Sequence, residues 1–232
     1  MRKRRILTIA GAALLMPLAL EAQTTTLDEG TFRLLVQGRE VGTETFSIRQ
    51  SGAGDRAVVI AQGRIVLAGD DGSEQVSSSL QLSGSALRPA AYDLQVEGGD
   101  AERIAGRVVG GRFSARIVRP SGEQMREYLV SDGAVIADEG VAHQYYFLAQ
   151  RVGDEGGRVP LVIPRTSRQV WAQVDVSGNQ SVQIGGASVP ARRLDVQPQG
   201  SAAAQVWVDA SGRVLRVAIP SSGFVAERTA AP

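Results

Sequence analysis

The sequence predicts an all-antiparallel β protein with one short helix against the sheet. Three observations lead there. Apolar residues recur with a period of two along most of the chain, glycine pairs and Asp-Gly steps punctuate those runs, and a single central stretch switches to helical spacing. Successive strand side chains point to opposite faces, so a period of two marks one buried and one solvated face.

Taken in order, Thr31 to Gln37 alternates, Gly38-Arg39-Glu40 turns the chain, and Val41 to Arg49 alternates again. Ala57 to Leu67 and Gln75 to Leu82 form a second pair around Gly69-Asp70-Asp71-Gly72, whose glycines accept the positive φ of tight turns. Arg103 to Val109 and Arg112 to Val118 flank Gly110-Gly111, a hairpin loop. Met125 to Val130 and Ala134 to Ile136 flank Ser131-Asp132-Gly133 in the same way. From Asp138 to Val152 the spacing of Val141, Tyr145, Leu148, Ala149 and Val152 predicts a helix of about three turns. Asp138-Glu139 suits its positive end, Arg151 its negative end, and Gly153 stops it. Strands then resume at Val159 to Ile163, Gln169 to Ser177, Ser181 to Ile184, Ser188 to Val196, Ala203 to Asp209, Arg213 to Ile219 and Phe224 to Arg228. No low-complexity linker divides them, so residues 23–232 read as a single antiparallel β domain.

Ahead of that domain, Met1-Arg2-Lys3-Arg4-Arg5 is a cationic start followed by the apolar run Ile6 to Leu20. This is the layout of a secretory signal peptide over residues 1–22, cut after Ala22; the run is too short for a span of about 20 apolar residues. The expected destination is the bacterial periplasm or the medium, by the general or, through Arg4-Arg5, the twin-arginine route. Without residues 1–22 the chain keeps 21 basic and 23 acidic groups, and its arginines are scattered, which argues against nucleic-acid binding. It has no cysteine, which excludes disulfides, thiolate metal sites and a lipidated N-terminal cysteine. One histidine and one lysine, Lys3 in the signal, exclude two-histidine metal sites and a Walker phosphate loop; no metal or cofactor is expected.

Few residues are left to carry chemistry. His143 is the single histidine, so any Ser-His-acid hydrolase must use it; on a helix beginning at Asp138 it falls opposite Val141, Tyr145 and Val152, on a flank or in solvent. No G-x-S-x-G accompanies it, and no residue is assigned as catalytic. Asp70-Asp71, Asp138-Glu139 and Asp154-Glu155 occupy turns or a helix start, where acids sit for local reasons. Asp209-Ala210-Ser211-Gly212 lacks the contiguous D-[TS]-G of aspartic proteases, and the sequon Asn179-Gln180-Ser181 reads as a turn. The aromatics Tyr145, Tyr146 and Phe147 on the helix, with Trp171 and Trp207 in late strands, fill a core or line an apolar cavity; they are the ligand-binding candidates.

The order of elements is itself informative, from Gly38-Arg39-Glu40-Val41-Gly42 in the first hairpin to the closing Val206-Trp207-Val208-Asp209-Ala210-Ser211-Gly212-Arg213-Val214-Leu215. The chain resembles uncharacterised bacterial periplasmic β-rich proteins similar in architecture to the outer-membrane lipoprotein carrier. That resemblance implies a strongly curved antiparallel sheet, a half-barrel or open barrel, with the helix on its concave face and an apolar ligand such as a lipid or lipidated chain. Three functions follow in order: a non-enzymatic exported carrier, an envelope interaction protein that pairs its edge strands with a partner, and a hydrolase using His143. A concave face filled by side chains, with no cavity large enough for an acyl chain, would sink the first.

Overall fold

Long alternating segments at the N-terminus pair with each other first. In the computed structural model, β1 (Thr24–Val36) and β2 (Arg39–Ser51) run antiparallel from Thr24↔Ser51 to Val36↔Arg39. Gln37 and Gly38 between them both take positive φ, 51° and 78°, as a two-residue hairpin turn requires. The structure describes residues 24–232 except 70, 71, 131 and 132, so the expected signal segment and the Asp70-Asp71 pair lie outside the described residues.

The meander continues through β3 (Val58–Gly69), β4 (Gly72–Ser83), β5 (Arg88–Glu97), β6 (Glu102–Val109), β7 (Arg112–Arg119) and β8 (Gly122–Leu129). After β9 (Val135–Ile136) and the helix α1 (Tyr145–Val152) come β10 (Gly157–Ile163), β11 (Arg168–Ile184), β12 (Ala187–Pro198), β13 (Ala204–Val208), β14 (Val214–Ile219) and β15 (Phe224–Arg228). All lie in one 15-stranded sheet, ordered β8-β7-β6-β5-β4-β3-β2-β1-β15-β14-β13-β12-β11-β10-β9. Because β15 returns to pair with β1, from Phe32↔Arg228 to Val36↔Phe224, the first strand sits mid-sheet and two meanders wind away from it. The architecture is mainly β, an open antiparallel sheet of barrel-like shape with one short helix.

Four expectations need correction. The segments 125–130 and 134–136 are not a hairpin: β8 and β9 lie at opposite edges, and β9 joins β10 as the sheet's parallel pair. A strand absent from the sequence reading, β5, begins at Arg88-Pro89; proline lacks a ladder donor, and a register shift between Gln81 and Leu82 accommodates it. Asn179-Gln180-Ser181 is no turn, since β11 passes through it with a bulge between Ser177 and Asn179. Beyond the bulge, Val182, Ile184 and Ala191 of the β11–β12 hairpin form a second small core with Leu215, flanked by Trp207. Last, the helix is shorter than expected. Gly140 takes φ 78° and Val141 is extended, so helical geometry starts with a 3-10 turn at Ala142–Gln144 and runs on as the eight residues of α1. Its C-terminus ends as anticipated, at Gly153 with φ 57°, whose N–H returns to the Ala149 carbonyl.

Inward residues of both meanders, among them Phe32, Ile48, Leu80, Ile104, Ile117 and Val206, share one core with Phe147, Leu148 and Val152 of α1. Side chains hold the open edges together. At Leu129 on β8 the backbone N–H donates to Gln169 Oε1 at 3.2 Å and the C=O accepts from Gln169 Nε2, so the amide of a β11 residue imitates a neighbouring strand. Arg119 of β7 donates to the Arg165 carbonyl at 2.7 Å, and Glu102 of β6 lies 2.5 Å from Arg119 and 3.3 Å from Arg165.

Candidate functional site

Inward positions that alternation reserves for hydrophobes carry acids, among them Glu44, Asp28 and Glu102. Glu44 stands in phase with Phe46 and Ile48 on β2 and has no exposed side-chain surface. Its carboxylate accepts the Ala142 N–H at 2.8 Å, the His143 N–H at 3.1 Å and the His143 Nδ1–H at 2.5 Å. Those are free N–H groups of the first helical turn, so an acid from the sheet fills the role the sequence assigned to Asp138-Glu139. The His143 ring stacks on Phe46 at 5.6 Å and passes so near Gly63 that a Cβ there would lie 2.5 Å from its Cε1. Asp28 of β1 is the second acid. It meets Arg228 of β15 at 2.5 Å, with the guanidinium 5.1 Å from the Phe46 ring; burial pushes the Asp28 carboxyl up from its ordinary value while Arg228 pulls it down.

His143 is therefore not on a solvated flank but 1% exposed, because the expected helical wheel starts four residues too early and a 3-10 turn advances each residue by a wider angle. Ser78 Oγ also borders Gly63, so a serine, the histidine and a carboxylate share one neighbourhood. His143 Nε2 and Ser78 Oγ each lack a hydrogen-bond partner, and both His143 and Glu44 side chains are sealed from solvent. The arrangement clasps the helix turn to the sheet, and a substrate reaches the ring only if that turn lifts.

Next to the clasp, Asp138 joins three elements. Oδ2 accepts from Tyr92 OH of β5 at 3.0 Å, Oδ1 from the Arg165 N–H at 2.9 Å, and the Asp138 N–H donates to Gln144 Oε1 at 2.6 Å. Burial dominates its titration and pushes it up to about 7, against the opposing pull of those bonds and of Arg165. Asp138 also borders a cavity of about 220 Å³ whose apolar wall comes from Leu148 of α1, Leu161 and Ile163 of β10, Val196 of β12 and Ile219 of β14. Polar groups come from Asp138, Glu139, Tyr145, Ser201 and Ser222; Glu139 and Ser222 are exposed and mark the mouth. The Tyr145 hydroxyl is pushed up to about 12 by burial, with Glu139 adding to it.

Of the aromatic candidates, Tyr145 lines this cavity, and Phe147 lines a separate one of about 90 Å³ beside Leu87 and Arg151. Tyr146 is buried edge-on against Phe147. Trp171 and Trp207 project from the opposite face of the sheet, under Arg158 at 4.8 Å and Arg216 at 5.2 Å, so they join neither the helix aromatics nor each other. Asp154 pairs with Arg192, Glu155 is exposed, and Asp209 holds its own turn through the Ser211 and Arg213 N–H groups. No group of three or more His, Cys, Asp or Glu side chains fit to hold a metal occurs among the described residues. Nor is any helix among them long and apolar enough to cross a membrane. Sequence reasoning missed Glu44, Asp28 and Arg228; the signal for each was a charge at an in-phase position.

No family model matches the chain, and no curated protein matches it. Among solved structures it is similar to a β-barrel-like protein of a domain of unknown function, DUF1849, from Brucella abortus, with a TM-score of 0.55. The match covers 86% of this chain and 93% of that one at 9% sequence identity, so the likeness is one of fold. It supports a β-rich, barrel-like architecture and does not single out the lipoprotein-carrier superfamily.

Proposed function

We propose that the chain is an exported, non-enzymatic binding protein whose ligand inserts a small apolar group between α1 and strands β10, β12 and β14. The rim cavity of about 220 Å³ carries this reading. An engineered cavity of about 150 Å³ lined by apolar side chains holds benzene, so this one suits a ring or a short alkyl segment. Apart from the smaller cavity beside Phe147, the rest of the concave face is packed with side chains, which speaks against a whole acyl chain and narrows the lipid expectation to a lipid-like terminus or an apolar side chain. Export to the periplasm or medium rests on the cationic start and apolar run of residues 1–20. The sealed His143–Glu44 clasp weighs against the hydrolase reading.

Titration with n-hexanol, followed by NMR of the Tyr145, Leu148 and Ile163 side chains, tests the proposal. Saturable shifts confined to these residues are expected, and Ala202→Trp, placed on the exposed loop that lines the cavity, abolishes them. Non-saturable shifts, or shifts unaffected by the tryptophan, overturn it.

A further inference from the structure

We infer that the rim cavity selects a cationic apolar group, an alkyl- or arylammonium, over neutral or anionic molecules of the same shape; the inference rests on the cavity being a binding site. Its charged lining is Asp138 and Glu139, with no arginine in the wall. The neighbouring cations are committed elsewhere. Arg165 bonds Glu102 and the Glu139 carbonyl, and Arg168 bonds the Gln199 and Gly200 carbonyls and Ser201 Oγ. Glu139 forms no ion pair among the described residues, and its charge acts on the Tyr145 hydroxyl across the mouth. Asp138 uses one acceptor position on each oxygen, for Tyr92 and Arg165, and an ionised carboxylate offers about four. An apolar wall capped by two carboxylates and a phenol matches an ammonium on a short hydrocarbon. A carboxylate on the same hydrocarbon meets like charge.

The pH response follows from the groups around Asp138. Those facing it are Tyr92 of β5, Tyr128 of β8, Glu102 of β6 and Arg165 of the β10–β11 turn. Asp138, at about 7, passes from acid to carboxylate between pH 5 and 8. An alkylammonium with a pKa of about 10.4 keeps its proton throughout.

The test compares n-hexylammonium, n-hexanol and n-hexanoate by the same NMR titration at pH 5 and pH 8. A charge-assisted hydrogen bond is about twice as strong as a neutral one, so hexylammonium is expected about tenfold tighter than hexanol at pH 8, with hexanoate weakest. Its affinity rises from pH 5 to pH 8 in the native chain and stays level in Asp138→Asn, which keeps an acceptor for the Arg165 N–H. Glu139→Gln at the mouth lowers hexylammonium affinity by a larger factor than it changes that for hexanol. Equal binding of hexylammonium and hexanol overturns the charge selection and leaves the cavity proposal standing; tighter hexanoate overturns it as well. Absence of binding by all three overturns both.

Discussion

Gly63 owes its identity to a neighbour. A methyl group there would sit 2.5 Å from His143 Cε1, 2.8 Å from Nδ1 and 3.2 Å from Ser78 Oγ, and the imidazole cannot retreat because Glu44 and Phe46 hold it. Overpacking a closed site costs 1–3 kcal/mol, so Gly63→Ala is expected to lower stability by about 2–3 kcal/mol. The cost should shrink sharply in a His143→Ala background, where the methyl enters vacated space. Chemical denaturation of the two single variants and the double variant measures this coupling. Equal cost in both backgrounds would place the strain elsewhere. The clasp was partly legible beforehand: Glu44 alternates with Phe46 and Ile48, and an acid in an apolar phase signals a buried partner. What alternation cannot show is which partner. That depends on a contact across 99 residues, between β2 and the turn before α1.

At the scale of elements, the sheet's exposed edge is the question. β8 offers unpaired backbone groups along one side, and its outward residues Glu123 and Glu127 pair with Arg116 and Arg112 of β7. Arg116 donates to Glu123, which holds that carboxyl below the usual carboxylate range. Charge on an edge discourages strand addition, so β8 is guarded against the edge pairing considered from the sequence. The remaining exposed end, Leu129, is closed by the Gln169 amide. Each net hydrogen bond contributes about 1 kcal/mol, so Gln169→Ala is expected to cost 1–2 kcal/mol and to speed amide exchange at Leu129 selectively. Unchanged protection at Leu129 would mean that the clamp does not hold the edge in solution. The Gly110-Gly111 hairpin was legible as read and the first hairpin with its turn displaced to Gln37-Gly38 from Gly38-Arg39-Glu40, while the equally local β4–β5 hairpin was missed with β5. Illegible were the pairings set by distant contacts: β9 beside β10, and β15 beside β1. The helix start was misjudged because Val141 keeps apolar phase while extended.

For the molecule as a whole, a carboxyl buried in the seam ties stability to pH. Asp138 joins β5, the β10–β11 turn and the approach to α1, and burial raises its folded-state value to about 7 from 3.8. A raised acid binds its proton more tightly folded than unfolded, so the folded state holds the extra proton between these values. The stabilisation is complete below pH 4 and is lost as pH rises through 7. Asp28, also raised by burial, acts in the same direction. About 3 units at 1.36 kcal/mol each set the scale for Asp138 at about 4 kcal/mol. Thermal unfolding followed by circular dichroism should show the melting temperature falling between pH 5 and pH 8. Asp138→Asn keeps an acceptor for the Arg165 N–H and cannot ionise, so its melting temperature should fall much less over that range, leaving only the smaller share of Asp28. A native protein whose melting temperature stays level over the same interval would mean that Asp138 is ionised in the folded state as it is in the unfolded one. The seam would then be held by its charge, and the cavity wall would carry a fixed negative group at every pH tested.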